Sequence, residues 1–74
     1  MMKPLAFVER NREFLIKGIE GNDKIKVRLV ERGFCIGERV LILKDDSKSL
    51  IVRINDSKYV INFGLAMKII VEEG

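Results

Sequence analysis

The side chains of this 74-residue chain offer few groups that could carry out chemistry. The sequence contains no His, so an imidazole general base and a Ser-His-Asp triad are excluded. The carboxylates of Asp45, Asp46 and Asp56 fall where turns are expected, and turns favour Asp for backbone reasons alone. Two adjacent carboxylates also make a poor cage for a hard cation. We therefore predict that the chain is not an enzyme and that it contains no metal ligands.

The single cysteine, Cys35, could act as a soft metal ligand or as a thiol that pairs with another chain. No second Cys and no His is available to complete a metal site, and no disulfide can form within the chain. The sequence pattern therefore favours a structural role for Cys35, as a small, partly buried apolar side chain.

A stripe of basic side chains is the first candidate binding feature. Lys24, Arg28 and Arg32 recur at every fourth position, so they lie on one face of a helix. Such a stripe could contact phosphates or an acidic protein surface, although a solvated helix face has the same pattern. The net charge of +3 comes from interspersed signs, and the aromatic residues fall in apolar runs. We therefore expect no nucleic acid partner.

The segments between regularly spaced turn residues are short and apolar, which predicts a mainly β domain. A helix is predicted over residues 23–32, capped by Asn22 or Asp23, with Gly33 left-handed and Phe34 against Leu29 at its end. A helical turn is expected at 63–68. The predicted strands cover residues 13–20, 39–44, 49–55, 58–62 and 69–72. Gly18 suggests a bulge within the first of them, and Asn11 a tight, left-handed turn before it.

Five short strands leave open edges unless the sheet closes on itself. We therefore predict that residues 1–74 form one domain, a small five-stranded barrel with one α-helix after the first strand and a short helical turn before the last. A barrel of this size is filled by its own side chains and has no room for a substrate. Function is expected on the outer surface.

Two of the predicted strands are apolar on both faces, at residues 40–43 and 69–71. One face of each strand lines the barrel, so the other must be covered or exposed. Unless residues 5–8 fold over them, outward apolar side chains of residues 40–43 and of the neighbouring segments form an exposed patch, which together with the basic stripe gives a candidate partner-binding set. Its members are Lys24, Arg28, Arg32, Phe34, Ile36, Leu41, Leu43 and Ile51.

The order of these elements resembles the ferrous iron transport protein A (FeoA) family. The resemblance covers nearly the whole chain and rests on the order and spacing of turn glycines and core aliphatic residues. It is carried by residues 4–5, 16–19, 29–40 (LVERGFCIGERV), 50–53 (LIVR) and 65–72 (LAMKIIVE). It implies that the barrel is SH3-like.

By this resemblance, the chain is expected to be a small cytosolic accessory protein of bacterial ferrous iron uptake. Its partner would be the cytosolic GTPase part of the membrane ferrous iron transporter (FeoB), whose assembly or activity it would modulate. That partner would recruit it to the inner face of the membrane, without direct membrane insertion. No cofactor is expected beyond a weak or indirect association with Fe2+. The alternative is a metal- or nucleic-acid-binding SH3-like module related to the C-terminal domain of DtxR-like iron-dependent repressors.

Overall fold

Short apolar strands joined by tight turns form one antiparallel sheet in the computed structural model, which describes residues 1–73. The strands follow the order β1-β6-β2-β3-β4-β5 across the sheet. A 3-10 turn at Leu5–Phe7 precedes β2, α1 (Asp23–Glu31) follows it, and α2 (Phe63–Ala66) precedes β6. The strands are β1 (Lys3–Pro4), β2 (Glu13–Ile19), β3 (Arg39–Asp45), β4 (Ser49–Ile54), β5 (Ser57–Asn62) and β6 (Ile69–Glu73).

The mainly β architecture is confirmed, but the sheet has six strands where five were predicted. The additional strand, β1, is two residues long and pairs Lys3 with Val71 and Pro4 with Ile70. Two residues carry no readable alternation of apolar and polar side chains, and the partner strand lies at the other end of the chain. Only the tertiary pairing therefore defines β1.

The ends of α1 are fixed by local residues, as predicted. The side-chain oxygen of Asn22 accepts a hydrogen bond from the backbone N–H of Ile25 at 3.0 Å, which caps the helix. Gly33 is left-handed at φ +98°, and its N–H donates to the carbonyl of Val30. The N–H of Phe34 donates to the carbonyl of Leu29 at 3.0 Å. This pair of bonds is the Schellman motif, so the chain leaves the helix in a fixed direction.

Two irregularities bend the strands. The pairing of β2 with β6 shifts register between Ile16 and Gly18, which confirms the bulge expected at Gly18. The pairing of β3 with β4 shifts between Ile42 and Lys44, a bulge that the apolar run did not predict. Because a bulge increases local twist and bends the strand, both help the sheet to curve around its core.

The interior is filled by apolar side chains from both halves of the chain, and no polar side chain is buried among the described residues. Phe34 is fully buried there, with its ring centroid 5.9 Å from that of Tyr59. Its prediction as part of an exposed patch is wrong, because the Schellman stop turns it inward beneath α1. The core comprises Leu5, Val8, Phe14, Ile16, Leu29, Phe34, Val40, Ile42, Leu50, Val52, Ile54, Ile61, Ala66, Ile69 and Val71.

Candidate docking surface

The solvent side of α1 carries apolar side chains that the core does not use. With about 100° between successive residues, Ile25 and Leu29 face the sheet, and Leu29 is fully buried. Val27 is 58% exposed and Val30 is 48% exposed on the other side of the helix. Valine is also a poorer helix former than most residues that occupy exposed helix positions. Neither packing nor helix propensity accounts for these two valines, which makes them candidates for a contact with another molecule.

A groove between α1 and the turn that follows it continues this apolar surface. It has a volume of about 310 Å³, opens to solvent, and is called the α1 groove here. Its lining is apolar apart from Lys26. The lining residues are Ile19, Lys26, Val30, Cys35 and Ile36.

Ile36 is the most exposed apolar side chain of this region, at 70%. It stands in a short turn whose ends are pinned: the N–H of Gly37 donates to the carbonyl of Ile16 at 2.8 Å, and the N–H of Glu38 donates to the carbonyl of Cys35 at 3.0 Å. Gly37 is left-handed at φ +95°, a conformation that an L side chain rarely adopts. The backbone therefore holds Ile36 at the rim of the groove.

Cys35 lines the same groove and is half-buried. Its Sγ lies 3.8 Å from the carbonyl oxygen of Val30, a weak contact. Within residues 1–73, no three His, Cys, Asp or Glu side chains are grouped as they would be around a metal ion. The thiol is therefore placed as part of the groove wall.

The basic stripe runs along the other flank of α1. Lys24 and Arg28 are exposed and line a shallow groove of about 480 Å³ with Asp23, Val27 and Glu31, whereas Arg32 is half-buried at the end of the helix. In the part of the chain that the structure describes, no carboxylate oxygen lies within 4 Å of the charged nitrogens of these three residues. Two carboxylates, those of Asp23 and Glu31, also line the groove, so the surface around the basic stripe is of mixed charge.

The two flanks form one surface, which we call the α1 surface. It combines the α1 groove with the strip that carries Val27, Lys24 and Arg28. The groove and the strip share no lining residue, but Val30 of the groove and Val27 of the strip are three positions apart and lie side by side on the helix surface. Of the predicted partner-binding residues, it contains Lys24, Arg28 and Ile36.

Leu41, Leu43 and Ile51 belong to a different region, the outer face of the sheet, and are half-buried. Leu41 lies opposite Glu13 on β2 and opposite Arg53 on β4. Beside it, the guanidinium of Arg39 is 3.5 Å from the carboxylate of Glu13. The alkyl parts of such long side chains shield an apolar neighbour while their charged ends stay in water. The structure thus divides six of the eight predicted residues between two surfaces, while Phe34 is buried and Arg32 is half-buried at the end of α1.

A third group of exposed apolar side chains, not predicted from the sequence, lies around the 3-10 turn and α2. Phe7 is 59% exposed, and Phe63 and Met67 are each 37% exposed. The rings of Phe7 and Phe63 pack edge to face with their centroids 6.0 Å apart. This contact joins the 3-10 turn to α2, so at least part of this group has a packing role.

The binding residues predicted from the sequence do not include four that line these grooves, Ile19, Lys26, Val27 and Val30. A signal for the two valines was present, since positions 27 and 30 are three residues apart and lie off the face defined by Ile25 and Leu29. No such signal existed for Ile19 and Lys26, because the α1 groove forms only where β2, the helix and the turn at Cys35 meet.

Comparison with protein families shows a match over almost the whole chain. Residues 3–73 match the family model described as the FeoA domain. A Methanocaldococcus jannaschii protein that carries the name Fe(2+) transport protein A is 35% identical over 72 residues. The matched region spans 97% of this chain and 88% of that protein.

Solved structures share the fold at lower sequence identity. A crystal structure of an iron uptake regulatory protein, FeoA, matches with a TM-score of 0.89 and 22% identity over 96% of both chains. Stenotrophomonas maltophilia FeoA in complex with zinc, described as a prokaryotic SH3 domain protein, gives 0.82 and 21% over 93% of this chain and 88% of that one. A manganese-dependent transcriptional repressor gives 0.89 at 13% identity, with 41% of its own chain covered and 97% of this chain. These likenesses confirm the SH3-like fold.

Proposed function

Because the chain belongs to the FeoA family of ferrous iron transport proteins, we propose that it is an accessory protein that binds the cytosolic GTPase part of the ferrous iron transporter FeoB through its α1 surface. This proposal locates it in the cytoplasm, at the inner face of the membrane. No helix within residues 1–73 is long and apolar enough to cross a bilayer. In the described part of the chain, fifteen apolar side chains fill the interior and the grooves described above open to solvent, which supports a role exerted through surface contacts.

The observation that carries the proposal is the exposure of Val27, Val30 and Ile36 on one surface. Burying an aliphatic side chain completely is worth about 1.5–3 kcal/mol, so covering these partly exposed groups is worth about 1 kcal/mol each. The α1 groove gives such a contact a concave centre that one or two partner side chains can enter. The half-buried leucines of the outer sheet face offer less apolar area to a partner.

Basic side chains around this contact would also orient the partner. Lys24, Lys26 and Arg28 surround the apolar side chains, and no carboxylate within residues 1–73 forms an ion pair with them. Carboxylates on the partner would form ion pairs with these side chains, raise the association rate and fix the orientation of the two proteins. Association by this surface should therefore weaken as salt concentration rises.

Calorimetric titration of the purified cytosolic part of FeoB with this protein tests the proposal. The double variant V30D/I36D should weaken binding by at least about tenfold, since two charges would be placed in the apolar contact. The matched control is F7D, which changes an apolar side chain of similar exposure outside the α1 surface. Absence of binding by the wild-type protein contradicts the proposal, and an equal loss in F7D contradicts the placement on α1.

Cys35 provides a second readout, because it lines the α1 groove and is the only thiol of the chain. The rate of its alkylation by iodoacetamide can be followed from the mass of this chain, with and without the FeoB fragment. We expect the bound fragment to slow alkylation at least about tenfold if it covers the groove. An unchanged rate in a saturated complex would place the contact elsewhere.

The alternative of a metal- or nucleic-acid-binding module stays a prediction. The likeness to the manganese-dependent repressor concerns the fold alone at 13% identity. Stoichiometric binding of a divalent metal, or oligonucleotide binding with a steep salt dependence, would support that alternative.

A further inference from the structure

The two edges of the sheet differ in how well they are protected. β1 is two residues long and contains Pro4, which has no N–H to offer to another strand. β5 is six residues long and pairs with β4 without any register shift, from Ser49 with Asn62 to Ile54 with Ser57. A short edge that contains proline resists pairing with another chain, whereas a long, regular edge favours it.

The unpaired side of β5 can be read from the alternation of its hydrogen bonds. The N–H of Phe63, just after the strand, donates to the carbonyl of Lys48 at 2.9 Å. In an antiparallel pair every second residue turns its N–H and C=O toward the neighbouring strand, so Ile61, Tyr59 and Ser57 face β4. Lys58 and Val60 face away, and the structure gives their N–H and C=O groups no backbone partner within residues 1–73.

An apolar side chain stands at the middle of this free edge. Val60 is 65% exposed and lies opposite the half-buried Ile51 on β4. Natural edge strands are commonly protected by inward charges, bulges or proline. β5 has only Lys58 and no bulge, and Lys58 stands near one end of the strand.

We propose that β5 pairs antiparallel with β5 of a second copy of this chain, about a two-fold axis at Val60. The backbones of the two Val60 residues then exchange two hydrogen bonds, and their side chains meet on the outer face between two copies of Ile51. Lys58 lies opposite Asn62 of the second copy, so no like charges are opposed. The strand is complementary to itself in this register, which is why a second copy is the occupant.

The pairing is weak and depends on protein concentration. One strand edge covers less than the roughly 800 Å² per partner that is usual in stable complexes. The contact uses neither the α1 groove nor the basic side chains of α1. It is therefore independent of the proposed function.

Sedimentation velocity over about a hundredfold range of protein concentration tests the pairing. The wild-type protein is expected to pass from monomer to dimer. V60K and V60E should each stay monomeric, because the two-fold axis opposes like charges at position 60. An equal mixture of V60K and V60E should regain the dimer, since opposite charges then meet.

A proline variant separates backbone pairing from side-chain contact. The N–H of Val60 points away from β4, so V60P removes the outward donor without breaking the bond ladder to β4. Circular dichroism should show an unchanged fold, while the dimer is lost. The control V60T keeps the N–H and a β-branched side chain and should still dimerise.

A wild-type protein that stays monomeric throughout overturns the proposal. So does a V60K protein that dimerises like the wild type, or a mixture of V60K and V60E that remains monomeric. Should V60P fail to fold, the charge variants alone decide the result.

Discussion

The α1 surface and the outer face of the sheet both carry aliphatic side chains, yet they expose them to different degrees. Ile36 and Val27 are 70% and 58% exposed, whereas Leu41, Leu43 and Ile51 are half-buried. The difference lies in the neighbours rather than in the apolar residues themselves. It shows that a surface aliphatic residue can serve either stability or binding, according to whether its surroundings cover it.

The geometry of the two elements explains this difference. On a sheet, directly opposite side chains have their Cβ atoms about 4.5–5.5 Å apart, so Glu13 and Arg53 can lie over Leu41. A helix surface is convex, and side chains that point outward diverge from one another. Lys24 and Glu31 therefore leave Val27 uncovered although they lie on the same helix.

The largest difference in stability is expected between substitutions at Phe34 and Ile36, which are two positions apart just after the end of α1. F34A should lower the free energy of unfolding by about 3–5 kcal/mol, since it opens a cavity at a fully buried ring. I36A should change it by less than about 0.5 kcal/mol. Chemical denaturation measures both, and similar losses would show that Ile36 is packed rather than exposed.

A second comparison uses one aliphatic residue from each surface. L41A should cost about 1–2 kcal/mol because a half-buried aliphatic side chain loses the apolar burial that it has in the folded protein. V30A should be neutral or slightly stabilising, since alanine is the better helix former. If V30A proves as costly as L41A in thermal unfolding, the two surfaces do not differ as described.

A smaller loss of stability is expected when the N-terminal cap of α1, the helix that carries the α1 surface, is removed. N22A removes the acceptor for the N–H of Ile25 and should destabilise the protein by about 1 kcal/mol. N22D retains a capping oxygen and should restore most of the loss. Equal stability of N22A and wild type in urea denaturation would show that the cap is dispensable.

The smallest effect concerns the turn between β3 and β4. The backbone N–H groups of Lys48 and Ser49 donate to the Asp46 carboxylate at 2.7 and 2.8 Å, and they hold the pKa of Asp46 below its ordinary value. Because the folded pKa is the lower one, the stabilisation exists above the unfolded value and is lost as pH falls through the folded value.

The variant D46N keeps an oxygen acceptor but cannot titrate. The melting temperature of D46N should therefore fall less between about pH 5 and pH 2 than that of the wild type. Parallel curves for the two proteins would contradict the assignment. The D46N substitution should alter neither the α1 surface nor the outer face of the sheet, since Asp46 lies in neither.

Some elements could be predicted from the sequence alone, and others could not. The limits of α1 followed from Asn22, Gly33 and Phe34, because capping and a Schellman stop are local hydrogen-bond patterns. The bulge at Gly18 and the left-handed turn at Asn11 followed in the same way. By contrast, β1 and the bulge at Leu43 depend on partners distant in the chain and were not predicted.

The sequence by itself determined the mainly β fold, the limits of α1 and the family, because each depends on local patterns or on their order along the chain. Only the tertiary structure decided that Phe34 is buried, that Leu41 is half-buried while Ile36 is exposed, and that Ile19 and Cys35 share a groove. Exposure depends on which side chains from distant parts of the chain come to lie over a residue. That neighbourhood exists only once the sheet has curved around its core.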